Sequence, residues 1–195
     1  DVEGHVVGVE KRVGRGTVRF FGFFVYYTIE EHPGLWSEMM RLPAIRRQVV
    51  ADSDDLLVEA RFTKREGLLF VGNFHRMPKS ARVQVKNPRG AGMIDIGPIE
   101  LPSQCGLLLP VQKQLAADAT LVFAHAELMD AGGTSRTLRM VMQGARDMAG
   151  CIVIRTTRAV KAITVDDQPA SFTRKGDTFR VDYRQTGGRQ EVVAR

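Results

Sequence analysis

The chain has 195 residues, of which 44% are hydrophobic and 26% charged, and its formal net charge is +6. This length allows one large domain or two small ones with a sizeable core, and the composition is typical of a soluble globular protein. The sequence has no apolar run of about 18 residues, which excludes a transmembrane helix, and no signal peptide. Because it begins at Asp1 and not at Met, we expect an excised domain, from a cytoplasmic or a secreted parent.

The positive charge comes mainly from arginines that are scattered through strand-like runs, such as Arg139 and Arg180. A nucleic-acid-binding protein usually gathers its basic residues on one helix or patch, with aromatic residues among them. The scattered pattern instead predicts solvated outer faces of β-sheets. We therefore expect no nucleic-acid partner and no membrane partner.

The cysteines and histidines show no metal-binding spacing. Cys105 and Cys151 are 46 positions apart, and neither lies in a CxxC or Cys/His cluster. No two of the four histidines are separated by the two or four residues that would place them together on a strand or helix. We expect no metal and no cofactor. Two ordinary thiols are favoured over a disulfide, although the sequence leaves the pairing open.

The first 50 residues predict a β-hairpin followed by a helix. Two β-rich runs, 5–13 and 17–27, flank Gly14 and Gly16. A dinucleotide-binding loop would need a third glycine and a following helix, but an aromatic run follows, so a hairpin turn is favoured. Residues 32–47 then carry Pro33 in a first-turn position and an apolar helical face that includes Trp36. We interpret residues 1–50 as a linker or the remnant of a preceding domain.

Residues 51–195 predict a single all-β module. After a polar break at 51–55, short alternating runs are separated by Gly, Pro and Asn. About ten strands at this spacing are typical of an antiparallel β-sandwich or jelly roll. Pro98, Pro102 and Pro110 predict that their segments are edge strands or loops, because proline cannot donate to a sheet ladder.

The segment 120–156 is the clearest strand pattern in the module. Three apolar runs, 121–128, 137–142 and 151–154, are separated by two glycine-containing breaks. This spacing predicts a three-strand antiparallel meander.

One acidic residue in that segment is a candidate for acid–base chemistry. Glu127 lies between Ala126 and Leu128, and a buried carboxyl group can act as an acid with a raised pKa. Glycoside hydrolysis needs two carboxylates about 5–9.5 Å apart, but no second carboxylate stands at a matching strand end. We favour a structural carboxylate tied to Arg139 or Arg155, and we assign no catalytic residue to the chain.

Carbohydrate-binding sites combine an aromatic face with flanking planar polar groups. The candidates for such contacts are Trp36, Tyr27, His75 and Arg76. For Trp36 we favour the role of a core or domain-interface anchor on an amphipathic helix.

Two passages resemble the β-rich C-terminal regions of large microbial β-galactosidases of the family 35 or 42 type. The first is LLFVGNFHR at 68–76, followed by a PIELP segment at 98–102 and the LLPV strand at 108–111. The second is LVFAHAEL at 121–128, which leads into a pair of strands around Gly144 and Gly150. The chain departs from the family pattern at His125, where the family has Thr, and at Cys151, where it often has Glu.

The resemblance implies an accessory module. In such enzymes the two catalytic glutamates lie in a (β/α)₈ barrel upstream, and 195 residues do not accommodate that barrel. The expected function is a non-catalytic β-sandwich that supports the barrel of a parent glycosidase or its oligomer. An independent carbohydrate-binding module is the alternative, and a basic nucleic-acid-binding domain ranks last. Carbohydrate binding and homo-oligomer formation stay open as partner hypotheses.

Overall fold

The structure is a computed structural model that describes residues 8–14, 16–21 and 48–195. Its contacts divide the chain into two compact units, Asp1–Arg46 and Arg47–Arg195. In the first unit, strand β1 (Gly8–Val13) pairs antiparallel with β2 (Gly16–Phe21), and Val13 is the partner of Gly16. Gly14 has a φ of 60°, which glycine adopts easily. The predicted hairpin is therefore confirmed, whereas the predicted helix at 32–47 lies outside the described residues.

The second unit consists of antiparallel strands. Its first strands are β3 (Val49–Ala51), β4 (Leu57–Phe62), β5 (Gly67–Asn73), β6 (Lys79–Lys86), β7 (Met93–Leu101), β8 (Cys105–Ala116) and β9 (Ala119–Ala124). They are followed by β10 (Glu127–Gly133), β11 (Leu138–Gln143), β12 (Ala149–Thr156), β13 (Ile163–Val165), β14 (Gln168–Pro169), β15 (Phe172–Lys175), β16 (Thr178–Arg184) and β17 (Arg189–Ala194).

These strands form three sheets. The largest has seven strands in the order β15-β16-β12-β9-β8-β5-β4. A five-stranded sheet has the order β10-β11-β17-β13-β14, and a three-stranded sheet has the order β3-β6-β7. Strand β3 straddles residue 50, the limit suggested by the sequence; whether the two segments are separate domains stays a prediction.

The seven-stranded sheet is the central layer of the module. Cys151 of β12 belongs to a core shared with the three-stranded sheet, and its neighbour Ile152 belongs to a core shared with the five-stranded sheet. Because successive side chains of a strand point to opposite faces, the two cores lie on opposite faces of the central sheet. The smaller sheets cover different halves: the five-stranded sheet packs on β9, β12 and β16 and leaves the same face of β4, β5 and β8 uncovered.

The predicted fold class is confirmed. The unit is all-β, every strand pair in it is antiparallel, and the sheets face each other as in a β-sandwich. No helix occurs in the described ranges, and they contain no segment long and apolar enough to form a membrane-crossing helix. Among the described residues, Arg139 and Arg180 lie on sheet surfaces as predicted: Arg139 is exposed and contacts Asp130 at 2.9 Å, and it also contacts Glu191.

The predicted meander at 120–156 is wrong in its pairing. The run 121–128 is divided by a crossover at His125 and Ala126, so that β9 belongs to the central sheet and β10 to the five-stranded sheet. Strand β11 pairs with β10 and β17, and β12 returns to the central sheet beside β9. Both crossover residues are buried, so the sequence has no exposed glycine- or proline-containing break at this point.

The expectation for Pro110 is met locally, although the strand as a whole is not an edge strand. Pro110 lies in β8, which has β5 on one side and β9 on the other. Backbone N–H groups alternate along a strand, so the nitrogen of Pro110 points to the same side as that of Leu108. On that side the pairing with β9 begins only at Val111, and the missing donor therefore faces the place where β9 has left the sheet.

Candidate functional site

A groove of about 580 Å³ opens on the uncovered half of the central sheet. Leu68 of β5 and Leu108 and Pro110 of β8 form its apolar floor. Leu128 and Met129 of β10 form one wall. Consecutive residues of a regular strand face opposite sides, but the register shift between Leu128 and Asp130 is a β-bulge that brings both Leu128 and Met129 to the groove.

An ion pair closes one end of the groove. The Nζ of Lys113 donates to Oε2 of Glu66 at 2.9 Å, and the backbone N–H of Gln114 donates to Oε1 of the same carboxylate at 3.1 Å. The hydrogen bond from Lys113 lowers the pKa of Glu66 below its usual value. Both oxygens of Glu66 are thus engaged in holding the β4–β5 turn against β8.

Glu127 occupies another part of the groove lining. Its Oε1 accepts a hydrogen bond of 2.9 Å from the backbone N–H of Leu108. The carboxylate therefore supplies the acceptor that a neighbouring strand would have provided. The expected partner Arg139 instead contacts Asp130 and Glu191. Glu127 is partly buried, whereas Glu59, a second carboxylate in the strand-rich module, is exposed and lies 3.6 Å from Arg61.

An aromatic shelf, which we define as Phe70 and Phe74, lies further along the same uncovered face. A Cβ atom on Gly72 would lie 3.0 Å from ring atoms of both phenylalanines, and one on Gly106 would lie 3.2 Å from the ring of Phe70. The two rings therefore occupy the space that side chains at these glycines would need. Phe74 is 69% exposed, which is unusual for a phenylalanine.

Asn73 holds the loop that carries Phe74. Its Nδ2 shares its two hydrogens among the carbonyl oxygens of Met77, Leu101 and Pro102, at 2.9, 3.0 and 2.9 Å. Its Oδ1 accepts from the backbone N–H of His75 at 2.9 Å. Because Asn73 is 1% exposed, this network fixes the loop backbone from inside the protein while the side chains of 74–77 project outward.

The structure places the four proposed carbohydrate contacts as follows. His75 and Arg76 are exposed on the loop beside Phe74, so they lie next to the aromatic shelf. Trp36 and Tyr27 lie outside the described residues. Phe70 and Asn73 were not among the residues predicted from the sequence. The asparagine at the end of an apolar run was the available signal, since asparagine side chains commonly organise the backbone of a turn.

His125 has a structural position at the crossover between β9 and β10. Its Nε2 donates to the carbonyl oxygen of Ile96 at 2.9 Å, which joins the central sheet to the edge of the three-stranded sheet. Its ring also stacks on Phe123 with centroids 5.7 Å apart. Burial lowers the pKa of His125 below its usual value. His125 is therefore a buried, hydrogen-bonded structural histidine.

The cysteines are both free thiols. Burial raises the pKa of Cys151 to about 12 and also raises the pKa of Cys105. A thiol is nucleophilic only as the thiolate, so neither side chain is activated. Among the described residues, His, Cys, Asp and Glu form no group of three that could hold a metal ion.

Comparison with known proteins gives one informative match. A 78-residue stretch is 27% identical to a beta-1,2-glucosyltransferase of Ignavibacterium album. The stretch amounts to 40% of this chain and to 11% of that enzyme, so the likeness covers a small part of a much larger protein. No protein-family profile matches the chain.

Proposed function

We propose that the β-sandwich is a non-catalytic accessory module of a carbohydrate-active enzyme, and more specifically of a glycoside hydrolase of the β-galactosidase type. Its role is to pack on the catalytic barrel of the parent enzyme. The distant likeness to a glucosyltransferase supports the general class, and the strand motifs at 68–76 and 121–128 support the finer one. The specific family is a proposal that rests on those motifs.

The use of the acidic residues around the groove supports the non-catalytic role. Glu66 has both carboxylate oxygens engaged, and Glu127 caps the backbone of Leu108. Acid–base catalysis of glycoside cleavage needs one carboxyl group that protonates the leaving oxygen and another that acts as a base or nucleophile. A carboxylate that completes a sheet is not free to move to a substrate.

The test is a turnover assay of the purified chain with nitrophenyl β-galactoside and β-glucoside. We expect rates equal to the uncatalysed background for the wild type and for Glu127→Gln. Clear turnover that is abolished by Glu127→Gln would overturn the proposal, because it would make this carboxylate a catalytic residue.

The aromatic shelf favours one second candidate, a carbohydrate-contacting surface. Pyranose rings stack their C–H faces on aromatic rings, and the exposed His75 and Arg76 beside Phe74 could bind the hydroxyl groups. Since Asn73 fixes the loop, little order would be lost on binding. This role is compatible with an accessory module.

An NMR titration tests this second candidate. The probes are a β-1,2-linked glucose disaccharide and β-1,4-linked galacto-oligosaccharides. We expect shifts at 70–76 that disappear in Phe74→Ala and persist in Met77→Ala, which removes another exposed apolar side chain from the same loop. Flat titrations with both sugars would reject a carbohydrate contact on the shelf.

A further inference from the structure

The strand β10 is an edge strand of the sheets that the described residues form. Among these strands it pairs only with β11. The opposite side of β10 borders the groove, where Leu128 and Met129 form the wall. Among the described residues no other strand pairs with that side. A free strand edge beside an apolar surface is a template for the addition of another strand.

The groove floor continues the interface between the central and five-stranded sheets. Leu128 packs against the core of that interface and also lines the groove. Beyond it the floor is uncovered: Leu68 is 50% exposed and Leu108 is 48% exposed. A strand added beside β10 would lie over these two leucines, because packed sheets are separated by about 10 Å and neighbouring strands by about 4.8 Å.

The same patch contains both parts of an interface. One part is the free edge of β10 with Met129, which can bind to another chain. The other part is the floor formed by Leu68 and Leu108, over which such a strand can pack. An interface with twofold symmetry requires one surface that contacts itself in this way. A partner with a different surface would not need both parts to lie side by side on one chain.

The charge of the groove also suits contact between identical chains. Its lining contains two cations, Arg61 and Lys113, and two anions, Glu66 and Glu127, whereas the whole chain has a net charge of +6. Like-charged copies repel each other over most of their surfaces. The balanced patch is a place where two copies can meet without that repulsion.

We propose that the occupant of the groove is a second copy of this chain, with β10 of each copy lying along the groove of the other in a symmetric dimer. This inference goes beyond the accessory role and stands independently of it. If the chain dimerises but has no carbohydrate-active parent, only the accessory role is rejected. If the chain is a monomeric accessory module, only the dimer is rejected.

Sedimentation of the purified chain at micromolar to sub-millimolar concentrations tests the dimer. We expect a monomer–dimer equilibrium. The variants Leu68→Glu and Leu108→Glu place a carboxylate twice in the symmetric interface, so they should weaken dimerisation by at least about 100-fold. Met93→Glu, on the three-stranded sheet and also partly exposed, is the matched control and should dimerise like the wild type. Circular dichroism establishes that each variant is folded.

Hydrogen exchange separates this dimer from other association. The amides of 127–131 should become more protected as the protein concentration rises, and this gain should vanish in Leu68→Glu. A wild type that stays monomeric, or a dimer that persists in both glutamate variants, contradicts the proposal. So does a dimer without concentration-dependent protection of β10.

Discussion

The carboxylate of Glu127 accepts a hydrogen bond of 2.9 Å from the backbone N–H of Leu108. Strand β9 leaves the central sheet at the crossover, and Glu127 at the start of β10 returns an acceptor to the backbone of β8 that the departure left without a partner. Glu127, which the sequence suggests as a candidate acid, thus has a structural role. Its hydrogen bond also fixes the crossover to strand β8.

Replacement of Glu127 should affect stability in a way that depends on its acceptor. Glu127→Ala leaves the N–H of Leu108 without a protein partner and should lower the free energy of unfolding by about 1 kcal/mol. Glu127→Gln retains an acceptor oxygen and should lose less than half of that. Urea unfolding of the two variants measures the difference; equal stability of all three proteins would show that this hydrogen bond contributes nothing.

Asn73 should be among the most sensitive polar positions in the module. Asn73→Ala leaves buried carbonyl groups unpaired, including that of Leu101, and should cost about 2–3 kcal/mol. His75→Ala, on the exposed part of the same loop, should stay within about 0.5 kcal/mol of the wild type. Thermal and urea unfolding provide the measurement. Similar values for the two variants would mean that the Asn73 network does not stabilise the loop.

Any side chain at Gly150 should destabilise the module. It pairs with Tyr183 across β12 and β16, and a Cβ atom there would lie 2.6 Å from the tyrosine ring. The ring packs against the core below the five-stranded sheet, so Gly150→Ala should cost about 1–3 kcal/mol through overpacking. In a double-mutant cycle with Tyr183→Val, the combined loss should be smaller than the sum of the single losses. The exposed neighbour variant Ala149→Ser is the control, and additive losses would refute the contact.

His125 should make the module less stable as the pH falls. Burial holds its folded-state pKa below the ordinary value of 6.5. As the pH drops through that value, the unfolded chain binds a proton that the folded chain does not, so stability decreases toward lower pH. Urea unfolding between about pH 7.5 and about pH 5 should show this slope.

The variant His125→Gln should flatten the pH dependence of the free energy of unfolding. Its side-chain amide can still donate a hydrogen bond to the carbonyl oxygen of Ile96. His75→Gln, at an exposed position, should retain the pH dependence. This pH range lies above the range in which carboxylates with a lowered pKa, such as Glu66, become protonated and cease to stabilise the fold. A slope that survives in His125→Gln would assign the pH dependence to another group.

The strands could be predicted from the sequence where one face is buried and the other is exposed to solvent. The alternation of β6, for example, directly reflects its burial. The run 121–128 was not divided correctly, because β9 is buried on both faces and His125 and Ala126 are buried too. When every residue is buried, the apolar pattern carries no sign of the point at which a chain changes sheets.

The candidate site was less predictable, because it depends on which strands become neighbours. The groove exists because β10 runs beside β8, and no local pattern encodes that proximity. A similar case is Arg158, which donates to both oxygens of Asp118 at 2.8 Å and to the carbonyl oxygens of Thr134 and Thr137. Its partners are 21 to 40 positions away in sequence, so only the fold shows that it joins three turns.

We propose that this β-sandwich is part of a larger carbohydrate-active enzyme and that its own residues carry out no catalysis. The most direct measurement is the DNA sequence upstream of the codon for Asp1. We expect an uninterrupted reading frame that encodes a (β/α)₈ barrel with two glutamates at the carboxyl ends of its strands. A start codon immediately before Asp1, or an in-frame neighbour without such a barrel, would contradict it.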